Sequence, residues 1–168
     1  MHIRNAEGGD AAAYVSYMNE IGGESDYLTF GLNEYGRTVA EVAGMIASMS
    51  AKTNELFLLA FITGRVVGAL MLESGQRPRV RHAAELSITV RREYWSRGVG
   101  PALMDRCRQW LEETRTLSKV NLRVREDHAR AIRLYEKKGF VTEGLTTRAL
   151  YVNGQYYGVR HMGLTLDL

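Results

Sequence analysis

Trp95-Ser96-Arg97-Gly98-Val99-Gly100 runs straight into the helical pattern Pro101-Ala102-Leu103-Met104, directly after an apolar run that ends at Val90. Glycines at a strand-to-helix junction let the backbone come close to a ligand. The first N–H groups of the helix point outward unpaired, and its dipole favours an anion there. The same residues also describe an ordinary glycine-containing turn, and the loop alone leaves both readings open. Pro101 suits a first helical position because its φ is preset, yet it removes one N–H from any phosphate nest.

The flanking sequence gives this loop a strand and a helix. Ala83 to Val90 reads as the central strand, with Leu86, Ile88 and Val90 on one face and Glu85, Ser87 and Thr89 on the other. Val99, Ala102, Leu103, Cys107, Trp110 and Leu111 then recur at helical spacing. Upstream, His2 to Asn5 is a short strand, and Asp10 is the expected N-cap of a helix whose apolar face holds Tyr14, Val15, Tyr17, Met18 and Ile21. Gly22 to Gly36 is loop-like. Thr38-Val39-Ala40-Glu41 has the form of a capping box and opens a helix with Val39, Val42, Ala43, Ile46 and Met49 on one side. Leu56 to Ile62 and Val66 to Leu72 flank a hairpin at Thr63-Gly64-Arg65, and Gly75 to His82 is a solvated connection. Downstream come a strand at Val120 to Val124, a helix from an Asp127 cap to about Lys138, and a stop at Gly139. Val141 to Val152 and Gln155 to Leu166 close on Asn153-Gly154, a type I′ hairpin signal.

A chain of 168 residues with 45% apolar content and no linker or repeat predicts one domain, residues 1–168. No apolar run approaches the roughly 20 residues that span a bilayer. Met1-His2-Ile3-Arg4 also lacks the apolar core of a signal peptide, so the expectation is a cytoplasmic protein without a membrane partner. The single cysteine, Cys107, falls on an apolar stripe and reads as a buried thiol. The four histidines show no ligand spacing, so no metal is expected. The net charge of +3 is unevenly spread: Glu7, Asp10, Glu20, Glu24, Asp26 and Glu34 lie between Asn5 and Gly36, where no Lys or Arg occurs. An acidic lobe facing a cation and a set of solvated helix faces are both open.

With Ile88-Thr89-Val90 before the glycine loop and Asp127-His128-Ala129-Arg130-Ala131-Ile132-Arg133-Leu134-Tyr135-Glu136-Lys137-Lys138-Gly139-Phe140 after it, the sequence resembles the GNAT superfamily of acetyl-CoA-dependent N-acetyltransferases. The pattern is an R/Q-x-x-G-x-G/A loop paired with N-x-x-A-x-x-x-Y-x-x-x-G-F. Gly98, Gly100, Ala131, Tyr135, Gly139 and Phe140 match it; Trp95 replaces the leading Arg or Gln, and His128 replaces the Asn. The resemblance implies an α/β (α+β) single-domain fold: a mixed, mostly antiparallel seven-stranded sheet, about four flanking helices, and central parallel strands splayed to admit acetyl-CoA. It implies that the backbone of Ile88, Thr89 and Val90 pairs with the pantetheine arm, with the Val90 N–H near the thioester oxygen. Arg97, Gly98, Val99, Gly100, Pro101 and Ala102 would hold the pyrophosphate, and Tyr135 would protonate the departing sulfur. Glu85 is either the base that takes the amine proton or the partner of a neighbouring Arg. His128 either replaces the cofactor contact of the family Asn or is solvated. In that fold Glu24 and Asp26 would face the acceptor.

The implied function is transfer of the acetyl group of acetyl-CoA to a primary amine, either a small cationic amine or a peptide or protein N-terminus, by direct attack in a ternary complex. Ala84-Glu85-Leu86 and Asn153-Gly154-Gln155-Tyr156-Tyr157 before Met162 resemble the branch of ribosomal-protein alanine and spermidine N-acetyltransferases. The alternative is a catalytically weak acyl-CoA-binding regulatory module. Basic residues are dispersed rather than interleaved with aromatics, so no nucleic-acid partner is expected. The terminal hairpin and its aromatics are compatible with a homodimer.

Overall fold

Two capping devices and two turns set most element boundaries in the computed structural model, which describes residues 1–167. The first strand, β1 (His2–Asn5), leads through a short 3₁₀ turn at Gly8–Asp10 into α1 (Ala11–Ile21). Asp10 occupies the cap position without capping: its carboxylate accepts from the Glu7 N–H at 2.8 Å and binds Arg4 at 2.7 and 2.8 Å. The second helix, α2 (Val39–Ser50), opens on the anticipated capping box, with Thr38 and Glu41 satisfying each other's backbone N–H groups. Its buried face is Val42, Ile46 and Met49; Val39 is instead 46% exposed, because a first-turn residue lies at the edge of the packed surface.

Strands β2 (Leu56–Ile62) and β3 (Arg65–Ser74) join through Thr63 and Gly64, both at positive φ (48° and 77°). They are followed by β4 (Ala83–Val90), α3 (Val99–Thr114), β5 (Lys119–Arg125) and α4 (Ala129–Lys137). His128, not Asp127, is the residue at the N-terminal cap of α4, since the Asp127 carboxylate is held by Arg125 at 2.6 and 3.0 Å. The last two strands, β6 (Val141–Val152) and β7 (Gln155–Thr165), meet at Asn153 and Gly154 with φ of 50° and 79°, as the hairpin signal requires.

The seven strands form one sheet in the order β1-β2-β3-β4-β5-β7-β6, antiparallel throughout except for the parallel pair β4 and β5. Helices cover both faces, so β2 and β3 read as continuous apolar runs. On one face α3 and α4 bury Leu103, Cys107, Ile132 and Tyr135 against Leu58, Leu70, Leu122 and Met162. Cys107 has the expected role: burial pushes its thiol up to about 12, which removes the thiolate at neutral pH. On the other face α1 and α2 bury Tyr14, Tyr17, Val42 and Ile46 against Phe57, Leu59 and Ala69.

The feature that positions a site is where β4 and β5 stop pairing. Their parallel register runs only from Ala83 opposite Lys119 to Leu86 opposite Leu122. Beyond it β4 stays with β3 as far as Val90, while β5 stays with β7 as far as Arg125. Each strand therefore follows its antiparallel neighbour, and a gap opens between Ser87–Val90 and Arg123–Arg125. This is the splay that the family resemblance implied.

Candidate active site

The gap exposes backbone groups that a closed sheet would pair. Arg91 donates its N–H to the Val67 carbonyl at 2.9 Å, which fixes the alternation along β4. Thr89 and Ser87 turn their backbone groups toward β3, whereas Ile88 and Val90 turn theirs into the gap. The Val90 carbonyl there accepts from the Trp95 indole N–H at 2.7 Å, leaving the Val90 N–H and the Ile88 groups facing the opening. Thr89 enters by its side chain: its hydroxyl accepts from the Tyr17 phenol at 3.0 Å.

At the mouth of the gap, the glycine loop starts α3. Gly98 sits at φ 83° before the helix, and the N–H groups of Gly98, Val99 and Gly100 have no acceptor among the described residues. Two of the anticipated donors are absent from this set. Ala102 gives its N–H to the Gly98 carbonyl at 3.0 Å, and Arg97 gives its backbone N–H to Tyr94 at 3.3 Å while its guanidinium lies 5.9 Å over the Tyr94 ring. Pro101 contributes none. A Cβ on Gly100 would sit 3.4 Å from Leu134 and 4.0 Å from Val90, so the loop lies directly against the chamber's side walls.

Two chambers meet in the gap. One, of about 340 Å³, is lined by Ile88, Val90, the glycine loop, His128 and Leu134. The other, of about 500 Å³, lies on the α1 side and is lined by Met18, Phe30, Glu73, Glu85, Arg123 and His161 among others. Tyr27, Thr89, Arg125 and Tyr135 line both and mark the passage between them. Tyr135 is 7% exposed, and burial raises its phenol to about 12, so it stands protonated at the passage at neutral pH.

The remaining residues named from sequence fall as follows. Glu85 is on the floor of the second chamber, exposed, opposite Glu73 on β3, and has no ion-pair partner within 4 Å among the described residues. An Arg partner for it is therefore not part of this structure. Glu24 lines the first chamber, not the second, and its carboxylate accepts from the Arg92 N–H at 2.6 Å. Arg91, 3% exposed, bridges Glu20 at 2.6 Å and Glu24 at 3.5 Å. Asp26 accepts from Asn153 at 3.2 Å and lines neither chamber. Within the acidic segment Asp10 pairs with Arg4, and Glu20 and Glu24 lie beside Arg91, while Asp26 and Glu34 have no ion pair among the described residues. His128 is half-buried in the wall of the first chamber with its ring stacked on Tyr27.

Sequence reasoning passed over Tyr17, Arg91 and Arg125, each joining segments far apart in the chain. Arg125, 7% exposed, donates to the Asp26 carbonyl at 2.9 Å and sits between the rings of Tyr27 and Tyr157. No local spacing announces such contacts.

The comparisons agree with this geometry. The model of the acetyltransferase (GNAT) family matches residues 24–140. A solved structure described as the acetyltransferase of GNAT family from Streptococcus pneumoniae superposes with a TM-score of 0.95 and 31% identity over 99% of both chains. The L-amino acid N-acetyltransferase AaaT of Escherichia coli (strain K12) is 38% identical over 109 residues, 62% of this chain and 65% of its own length. The spermidine N(1)-acetyltransferase of Vibrio cholerae is 30% identical over 83 residues, 49% of this chain. The matched stretch covers about half of that second relative, 48%.

Proposed function

The chain belongs to the GNAT family of acetyltransferases, and from that premise we propose that it transfers the acetyl group of acetyl-CoA to the primary amine of a small acceptor held in the second chamber. One observation carries this reading: a gap between β4 and β5 with three unpaired N–H groups at its mouth and a protonated phenol at its centre. Acetyl-CoA supplies an activated thioester. The residues present fit it. Gly98, Val99 and Gly100 offer their N–H groups to the pyrophosphate at a helix N-terminus, and the Ile88 and Val90 backbone offers an open strand edge to an amide-containing arm. In this reading the Val90 N–H, which faces the opening, would stabilise negative charge on the thioester oxygen. Glu85 takes a proton from the acceptor ammonium, and Tyr135 donates one to the departing thiolate.

The charges of the second chamber favour an acceptor bearing both an amine and a carboxylate. Glu73 and Glu85 lie opposite each other on neighbouring strands, an arrangement that repels unless a cation intervenes. Arg123, opposite His161 on β7, offers a cation on the same sheet face and is likewise without an ion pair among the described residues. Met18, Phe30, Met71 and Leu150 provide apolar walls. An α-amino acid with an apolar side chain satisfies all three, and one relative is named for L-amino acids. This reading prefers an amino acid to the cationic amine that the acidic segment also allows, because Glu20 and Glu24 of that segment lie beside Arg91.

A panel of amines assayed with acetyl-CoA by release of free thiol tests both parts. Apolar L-amino acids should exceed polyamines in kcat/KM. Preference for a polyamine, with capture weakening as salt rises, overturns the acceptor. Calorimetry that finds no acetyl-CoA binding at millimolar concentration overturns the activity itself.

A further inference from the structure

Four planar groups from four parts of the chain lie in a row on the β5 side of the gap. Tyr157 of β7 lies under the Arg125 guanidinium at 3.9 Å, Arg125 of β5 lies over the Tyr27 ring at 4.4 Å, and Tyr27 of the α1–α2 loop stacks on His128 at 3.7 Å with their planes 13° apart. Asp127 fixes the guanidinium through two hydrogen bonds, at 2.6 and 3.0 Å, and the third arm of Arg125 reaches the Asp26 carbonyl. The row therefore does not depend on one contact. It ties the loop to the β5 flank of the opening.

Position gives the row its meaning. Tyr27 lines both chambers, so the ring it presents is a wall of the passage through which an amine would approach a thioester. His128 occupies the start of α4 and bears on the loop rather than reaching past it, having no hydrogen bond to any described residue through its side chain. Building on the transferase reading above, we propose that His128, Arg125 and Tyr157 are positioning residues that clamp Tyr27 of the loop at the passage, so that they set acceptor capture and not cofactor affinity. A stacked histidine suits this task because a neutral ring offers a flat face without adding a cation beside Arg125. Burial and the nearby charge of Arg130 hold the His128 ring down at about 4, so it is neutral in the physiological range.

The two roles for His128 separate cleanly by substitution. His128→Asn keeps a polar group at the helix start and loses the flat ring; His128→Phe keeps the ring and loses the polar group. Clamping predicts that His128→Asn raises the acceptor KM about tenfold with the acetyl-CoA KM and Kd unchanged, and that His128→Phe restores the acceptor KM. Tyr27→Ala should reproduce the first result and Tyr27→Phe should not. A rise in acetyl-CoA Kd for His128→Phe, with the acceptor KM untouched in His128→Asn, overturns the proposal. Amide hydrogen exchange of residues 22–36 reads the clamp without turnover: faster exchange in His128→Asn supports it, and unchanged exchange overturns it. If the wild-type protein binds no acetyl-CoA, the transferase reading falls while the exchange result still decides whether the loop is clamped.

Discussion

The two ends of the gap are built in opposite ways. The end at the glycine loop is made of backbone: three N–H groups at the start of α3, the Val90 N–H and the Ile88 groups on the open edge of β4. The end beneath α1 is made of side chains from distant segments, with Met18, Phe30, Glu73, Glu85, Arg123 and His161 converging on one chamber. Backbone chemistry at a strand–loop–helix junction is a local property, so it tolerates much change in sequence so long as glycine stays where the chain must turn or a ligand must approach. Side-chain chemistry assembled over long range has no such invariance, and it is the part free to select an acceptor.

The largest effect that would sharpen this contrast lies at the passage itself. Tyr135 sits on the seam between the two ends, and Tyr135→Phe removes only the phenolic hydroxyl. Its kcat should fall by roughly 10²–10⁴-fold, the usual range for a positioned acid, with acetyl-CoA affinity unchanged. Because burial raises the phenol to about 12, the wild-type kcat should show no alkaline loss assignable to Tyr135 through the ordinary tyrosine range near pH 10. An unchanged kcat at saturating acceptor would remove Tyr135 from the chemistry and leave solvent to protonate the sulfur.

A smaller effect is expected at the backbone end. A Cβ on Gly100 would meet Leu134 at 3.4 Å and Val90 at 4.0 Å, ordinary contact distances, so the two further methyls of valine are what would crowd these walls. Overpacking of this kind costs about 1–3 kcal/mol, and Gly100→Val should weaken acetyl-CoA binding about 10–100-fold by calorimetry while acceptor selectivity among amines is retained. A change in acceptor preference with intact cofactor affinity would break the division between the ends.

That division also describes what could be read from the sequence. The glycine loop, the apolar run of β4, the Thr38 capping box and the Asn153-Gly154 turn are short-range signals, and each appears where its chemistry requires. The role expected of Tyr135 and the gap itself both rest on family resemblance, since nothing in residues 87–90 or 123–125 announces that two strands will part. The errors were those of counting charge without partners. Asp10 and Asp127 read as helix caps but serve Arg4 and Arg125, and the acidic stretch, open in sequence between a field and solvated faces, has Arg91 beside Glu20 and Glu24 in space. Asp10–Arg4 and Asp127–Arg125 lie near in sequence; the acidic stretch and Arg91 are about 70 residues apart, and only the fold closes that distance.

The acidic stretch yields the smallest effect and the sharpest test of where acceptor selection resides. Arg91 is 3% exposed, donates to the Val66 carbonyl at 2.8 Å, and has Glu20 at 2.6 Å and Glu24 at 3.5 Å as its anions. Neutralising both in Glu20→Gln, Glu24→Gln strands a buried cation, a change that is strongly destabilising when both partners are fully desolvated. Here the Glu20 side chain is 45% exposed, so water screens the pair and the loss should be about 1–2 kcal/mol. Its pH dependence has a definite sign. The hydrogen bond from Arg91 holds the Glu20 carboxyl below its ordinary 4.5, so the folded protein binds that proton less readily than the unfolded chain. The stabilisation is present above about pH 4.5 and is lost as pH falls through the lower folded value, a slope that thermal melts should show in the wild type and lose in the double variant. Acceptor KM should stay within about twofold at any salt concentration, since exposed or internally paired charges contribute little to capture. A rise in KM that grows as salt is lowered, without a change in melting temperature, would return these carboxylates to the acceptor and place selection in the loop rather than in the chamber beneath it.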